Sequence, residues 1–225
     1  GNKFVAEGLP LNTFLMPKYA GIDKTNGLPM WYKDILDDNG DVVGTTMTSE
    51  YSEATEYLCD DPTPDLYGGF GTSFSFYNFD ISAAFTYSIG GLTYDSGYAT
   101  YMNAPGGTVG SNFHKDVLKA WTPENKDSQI PRFQYQDQYS AASSDRFLVD
   151  ASYLNFQNAQ IGYTFPERMV RKLHVSKLRL YAACDNIIYW SYREGLDPRQ
   201  SFSGSTSNAM NSPVRTITGG LNITF

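Results

Sequence analysis

The sequence is poor in charge, in thiols and in long apolar runs, and each shortage excludes something. Charged residues are 18% of the 225, and the formal net charge is −7. That excludes a nucleic-acid partner, because phosphate binding needs clustered Lys and Arg. The two cysteines, Cys59 and Cys184, fit no metal-ligand spacing, and only a disulfide between them stays open. The two histidines, His114 and His174, have no acid or nucleophile at a catalytic spacing, so no enzyme, metal or cofactor is expected. No stretch approaches the roughly 18 apolar residues of a spanning helix, which excludes a helical membrane protein. It does not exclude a barrel, whose strands alternate and look polar on average. Gly1-Asn2-Lys3-Phe4 has no signal-peptide character and reads as a cut end, so a piece of a longer or processed protein is expected.

What is abundant points to strands. Aromatics reach 15%, with 17 Tyr and 14 Phe, beside 20 Gly and 11 Pro. Such a mixture favours β-structure joined by turns. Five stretches alternate with period two. Leu66 to Phe76 and Ile81 to Ile89 form a hairpin across Tyr77-Asn78-Phe79. The third runs from about Ser152 to Phe165. Its early apolar residues, Leu154 and Phe156, have the opposite parity to Ala159, Ile161 and Tyr163, which predicts a bulge near Asn158. The fourth sets Leu178, Leu180, Ala182 and Cys184 against Arg179, Tyr181, Ala183 and Asp185. The fifth sets Ile217, Gly219, Leu221, Ile223 and Phe225 against Thr216, Thr218, Gly220, Asn222 and Thr224.

These lengths match a tilted bilayer crossing better than a globular strand. Two readings stand at this point. In a soluble β-sandwich, such as a carbohydrate-binding module using its loop aromatics, the apolar faces point inward. In a membrane barrel they meet lipid, and the small polar residues face a wet lumen. The lipid-facing set is then Phe70, Phe74, Phe85, Leu180, Ile217, Leu221 and Ile223. Aromatics near strand ends, among them Tyr67, Phe76, Tyr77, Phe165 and Trp190, suit interfacial girdles. Short and long connections alternate, as in a barrel with turns at one end and large loops at the other. The short connection after the third strand carries a helix-like stretch over residues 167–173.

Asp37-Asp38-Asn39-Gly40-Asp41 has the start of a calcium-loop spacing, but Val42 and Thr48 stand where that loop needs Gly and Glu. A tight turn at Asn39-Gly40 is the expectation. Trp31, Tyr98, Tyr101 and Trp121 are candidate contacts for cargo or a partner protein, weighed against simple loop packing. Tyr98 and Tyr101 are favoured by the flanking Gly97, Gly106 and Gly107.

Several ordered motifs resemble the SusC/RagA-type TonB-dependent receptors of Bacteroidetes. YAGIDKTNGLPMWY (19–32) resembles the family's AG-D-x-x-TG-x-P-x-Y stretch, and residues 63–91 resemble its P-x-x-YGG hairpin. KAWTPENKDSQIPRF (119–133) is similar to its W-T-P-x-N loop, and residues 143–166 to its S-D-R-F-x-x-D-x-S-Y-L run. KLRLYAACDNIIYW (177–190) with Gly195-Leu196-Asp197-Pro198 resembles the next strand, although the family usually reads Gln-Asn or Glu-Asn where Asp185-Asn186 stands. The resemblance implies a nutrient importer of the outer membrane, for glycans or peptides, built as an about 22-stranded barrel around a plug. A SusD-type surface lipoprotein would be the partner, with TonB engaging a plug region missing from this chain. The fold expected is all-β, an antiparallel meander forming the last five or six strands of a large transmembrane barrel. Residues 1–65 would be mostly extracellular loop with a preceding strand, 66–90 a hairpin, 91–150 an extracellular loop and 151–225 the last three strands. Phe225 would be the barrel-assembly signal.

Overall fold

A computed structural model describes residues 2–103, 110, 112–135, 139–206 and 213–225. Gly1, Gly106 and Gly107 lie outside the described residues. In chain order the strands are β1 (Lys3–Phe4), β2 (Thr13–Pro17), β3 (Tyr19–Ile22), β4 (Pro29–Leu36), β5 (Val42–Thr48), β6 (Glu56–Leu58) and β7 (Leu66–Phe76). They continue with β8 (Phe79–Ile89), β9 (Leu92–Tyr94), β10 (Leu148–Asp150), β11 (Tyr153–Thr164), β12 (Lys177–Ser191) and β13 (Thr216–Thr224). Two short helices are α1 (Ser96–Tyr101) and α2 (Glu167–Val170). No described helix is long and apolar enough to cross a membrane.

The chain forms two compact units. The first is a five-stranded antiparallel sheet in the order β13-β12-β11-β8-β7. Its strands run 9 to 15 residues because period-two alternation continues along each, interrupted only by one irregularity where β11 meets its neighbours. The β7–β8 hairpin closes through Tyr77 and Asn78, one residue tighter than the sequence predicts, with Tyr77 at φ 52° in the left-handed region. The bulge falls where the parity switch places it. β11 steps from Phe156↔Phe85 to Asn158↔Ala84 and leaves Gln157 without a partner on β8. β12 in turn carries one residue more than β11 over the same span, with Asn186 at φ 50°.

The two short connections lie at one end of this sheet. Thr164 N donates to Asn78 O at 2.8 Å, and Ser176 N donates to Thr224 O at 2.7 Å. The helix-like stretch after β11 folds as α2 followed by a 3-10 turn over Arg171–Leu173.

The second unit gathers the described residues of three separate excursions, 2–63, 92–149 and 201–206. It contains the sheets β1-β2-β6 and β3-β4-β5 and the pair β9-β10. Its core is Phe14, Met16, Trp31, Met102 and Phe147. The third excursion is stitched to the second by Tyr94, whose N–H donates to Gly204 O at 2.7 Å. Lys3 ties it to the first, donating to Ser203 O at 2.6 Å. The Asp37–Asp41 segment is the β4–β5 turn. Asp37 Oδ1 accepts from Asn39 N and Asp41 N at 2.9 Å each, and Gly40 adopts φ 89°. No group of metal-ligating side chains occurs among the described residues. Both cysteines are free, so the disulfide alternative is set aside.

Candidate functional site: a two-faced sheet and a motif-built loop unit

Register decides which side chains share a face of the five-stranded sheet. Phe76, Phe79, Tyr163, Leu180 and Leu221 form one row across all five strands. Phe74, Ile81, Ile161 and Ala182 form the next, and Phe70, Phe85, Phe156 and Ile188 form another. All lie on the same side, because the bulge at Gln157 restores the facing of Leu154 and Phe156. The rings stack along the row, with Phe85 between Phe70 at 5.0 Å and Phe156 at 4.4 Å.

This face is not packed away. Phe74 is 60% exposed, Leu180 52%, Ile217 78% and Ile223 46%. Phe70 and Leu221 are also exposed, and Phe85 is half-buried. Contiguous apolar exposure on this scale is unlike the surface of a soluble monomer.

The opposite face is small and polar. Ser73, Ser82, Gln160, Ala183 and Thr218 form one of its rows. Asn158 donates to Asp185 Oδ1 at 2.6 Å. Near the turn end, Arg179 of β12 reaches Asp80 of β8 with two hydrogen bonds, Nε to Oδ1 at 3.0 Å and Nη2 to Oδ2 at 2.5 Å. Gly162 of β11 lies beneath the pair. A Cβ there would stand 2.6 Å from both carboxylate oxygens and would collide with the guanidinium. Sequence reading missed this pair. The available signal was a lone glycine between polar residues on the small face of β11.

Past the end of β12 opposite the short connections, the Gly-Leu-Asp-Pro motif builds a buried ion pair. Arg199 Nε and Nη2 donate to Asp197 Oδ1 and Oδ2 at 2.8 Å each, and the guanidinium lies 4.7 Å from the Tyr189 ring centre. Charge-assisted pairs of this geometry fix a loop firmly.

In the loop unit, three of the sequence motifs hold one another. The first begins with a side-chain turn, in which Asp23 Oδ1 accepts from Thr25 N at 2.8 Å and Thr25 Oγ1 at 2.6 Å. That turn brings Gly27 to φ 75°, directly against the Trp121 ring, leaving no room for a Cβ. Trp121 Nε1 donates to Lys24 O at 3.2 Å, and Arg132 N donates to Gly27 O at 2.9 Å. The Ser-Asp-Arg-Phe motif docks from the other side. Asp145 Oδ1 accepts from Tyr19 N at 2.7 Å, Arg146 lies over the Tyr19 ring at 5.2 Å, and Phe147 is buried. Burial pushes the Asp145 carboxyl above the usual carboxylate range, against the Tyr19 N–H that favours the anion. Burial also pushes the Tyr19 phenol up to about 12.

The four candidate contact residues separate. Trp31 is 1% exposed, edge-on to Tyr51 at 5.1 Å, and belongs to the core rather than to a contact surface. Trp121 is half-buried and packs two motifs together. Tyr98 is half-buried, with its hydroxyl 3.1 Å from Asp116 Oδ2 and its ring against His114. Tyr101 is the exposed member. Phe225, beyond β13, is exposed.

No family model matches the chain. Curated relatives do. TonB-dependent receptor P3 of Formosa agariphila is 26% identical over 240 residues, covering 99% of this chain and 23% of the relative. TonB-dependent receptor P26 of the same organism is 27% identical over 201 residues, covering 84% of this chain and 19% of the relative. Among solved structures, the RagAB peptide importer in its closed-closed state superposes with a TM-score of 0.79 at 25% identity, over 100% of this chain and 25% of that one. The RagAB peptide transporter superposes at 0.76 with 26% identity, over 100% of this chain and 25% of that one. The chain thus spans about a quarter of the length of the proteins it matches. Taken with the exposed apolar face and the ordered motifs, these likenesses support the SusC/RagA-type resemblance: the chain is similar over its whole length to a segment of TonB-dependent receptors.

Proposed function

We propose that the five-stranded sheet is part of the wall of an outer-membrane importer of bulky nutrients, peptides or glycans. The observation that carries this reading is the pairing of opposite faces. A row-by-row apolar surface, exposed on all five strands, backs onto Ser, Thr, Asn, Gln and Gly. Lipid tails suit the first face, with Phe70, Phe74, Phe85, Leu180, Ile217, Leu221 and Ile223 meeting them, and a water-filled lumen suits the second. An open sheet cannot stand alone in a bilayer, because unpaired edge groups cost several kcal/mol each by order of magnitude. β7 and β13 are therefore assigned neighbours elsewhere in the intact receptor.

The loop unit is assigned to the outer side, where cargo and a SusD-type lipoprotein would meet it. Its interlocked motifs supply a stiff support, and Tyr101 is the aromatic best presented for contact. TonB engagement is assigned to a plug outside this chain. The name RagAB peptide importer, borne by a structural neighbour, favours peptides as the first cargo to test.

The test is fractionation and uptake with the intact receptor. Recovery with outer membranes, and loss of labelled oligopeptide uptake when the gene is deleted, are expected. Native receptor in the aqueous fraction contradicts the reading.

A further inference from the structure

We propose that the turn joining β11 to β12 binds the headgroup phosphate of an anionic phospholipid. This rests on the membrane reading above and adds a specific lipid contact to it. The segment 167–177 carries Arg168, Arg171, Lys172 and Lys177 against the single carboxylate Glu167, in a chain whose net charge is −7. Such a reversal of sign in so short a stretch calls for a reason.

The fold arranges these groups to one purpose. Pro166 opens the turn, Met169 N donates to Pro166 O at 2.9 Å, and Val170 is buried as the anchor. With Val170 inward, Glu167, Arg168, Met169, Arg171 and Lys172 all stand exposed. Glu167, Arg168, Arg171 and Lys172 line an open recess of about 530 Å³. Glu167 is already committed, since its Oε1 accepts from Arg171 Nη2 at 2.7 Å. Arg168 and Lys172 have no carboxylate partner among the described residues, so the recess keeps two uncompensated cations.

Position supplies the second, independent argument. The turn sits at the sheet end marked by Phe76, Tyr77 and Phe79, and Tyr77 is 90% exposed. Aromatic side chains at a strand end mark the headgroup level of a barrel. A cationic recess at that level faces lipid phosphates, with Met169 exposed beside it to meet the glycerol and upper acyl region. An open recess at the aqueous edge suits an anionic headgroup better than a buried organic ligand.

The experiment is native mass spectrometry of the intact, delipidated receptor in a non-ionic detergent. Phosphatidylglycerol, phosphatidylcholine and inorganic phosphate are offered in separate arms, and inorganic phosphate is also added in competition. Retention of phosphatidylglycerol over phosphatidylcholine is expected. Arg168→Gln and Lys172→Gln are each expected to weaken that retention about fivefold, while Arg168→Lys keeps most of it. These side chains are exposed, so the variants fold. Equal retention of the two lipids, or unchanged retention in both Gln variants, overturns the proposal. Displacement of the lipid by millimolar inorganic phosphate also overturns it, in favour of a free-anion site. If the wild-type receptor does not fractionate with outer membranes, the membrane reading beneath it fails; if it does and the arms still coincide, this inference alone fails.

Discussion

Asp80 and Arg179 form a two-pronged ion pair that spans β11 by passing over Gly162. The strands that carry them are not neighbours, so the pair cross-links β8 to β12 through a gap that only glycine leaves open. A half-buried pair of this kind contributes about 1 kcal/mol of coupling. In a double-mutant cycle on the intact receptor, Asp80→Asn and Arg179→Gln are expected to be less than additive by about that amount, read from unfolding midpoints. Gly162→Ala is expected to destabilise as much as the worse single change, because its methyl separates the partners. Strict additivity would show that the pair is not coupled.

A parallel argument applies in the loop unit. Gly27 combines φ 75° with direct contact against Trp121. A side chain in that conformation costs about 1–2 kcal/mol before any collision. Gly27→Ala is expected to expel the Trp121 ring, red-shift the tryptophan emission and open the 119–133 loop to protease. Unchanged cleavage kinetics would refute the interlocking of the two motifs.

The sidedness of the sheet can be tested with one residue on each face. Ile161→Arg places a charge on the exposed apolar side, and Gln160→Arg places it on the small polar side. Ile161 lies one row in from Tyr163 and Phe79, between headgroup level and mid-depth, so the first is expected to cost about 1–2 kcal/mol, and the second little. The measurement is the amount of folded receptor in the outer-membrane fraction. Equal yields from the two variants would mean that the solvent assignment of the faces is wrong.

Asp145 gives a pH dependence with a definite sign. Its folded carboxyl titrates above its unfolded value because it is buried, so the folded state holds a proton that the unfolded state releases. This group's contribution to stability is therefore greatest below the unfolded value, and it declines as pH rises to the folded one. Asp145→Asn keeps an acceptor for the Tyr19 N–H and removes the titration. The gain of the Asn variant over wild type is expected to grow as pH rises through that window, then level off. Asp145→Ala, which orphans the N–H, is expected to lose about 1–3 kcal/mol at every pH. Thermal unfolding of the three proteins across acidic pH checks this.

The sheet was largely legible because alternation is a local signal. The parity switch between Phe156 and Ala159 places a bulge, and the structure has it at Gln157. The loop unit was not legible, because its contacts join residues far apart in the chain. Nothing beside Trp121 announces that its ring will rest on Gly27. Trp31 is an instructive miss. Pro29 and Trp31 share an inward parity on β4, so the core position of Trp31 is written in its own strand, and that parity outweighs the ligand-contact reading of an aromatic ring. Asp80 and Arg179 lie on strands separated by a third, and no period along one strand predicts a partner across two.

The unpartnered Gln157 makes the residue count of β11 a determinant of orientation. Removing it would align β11 with β8 residue for residue and keep Leu154 and Phe156 on the greasy side, whereas flattening the bulge with Gln157 retained would swing them toward the aqueous side. A single deletion at the bulge is thus absorbed against β8, whereas a single insertion in the regular part of the strand turns every residue beyond it to the other face.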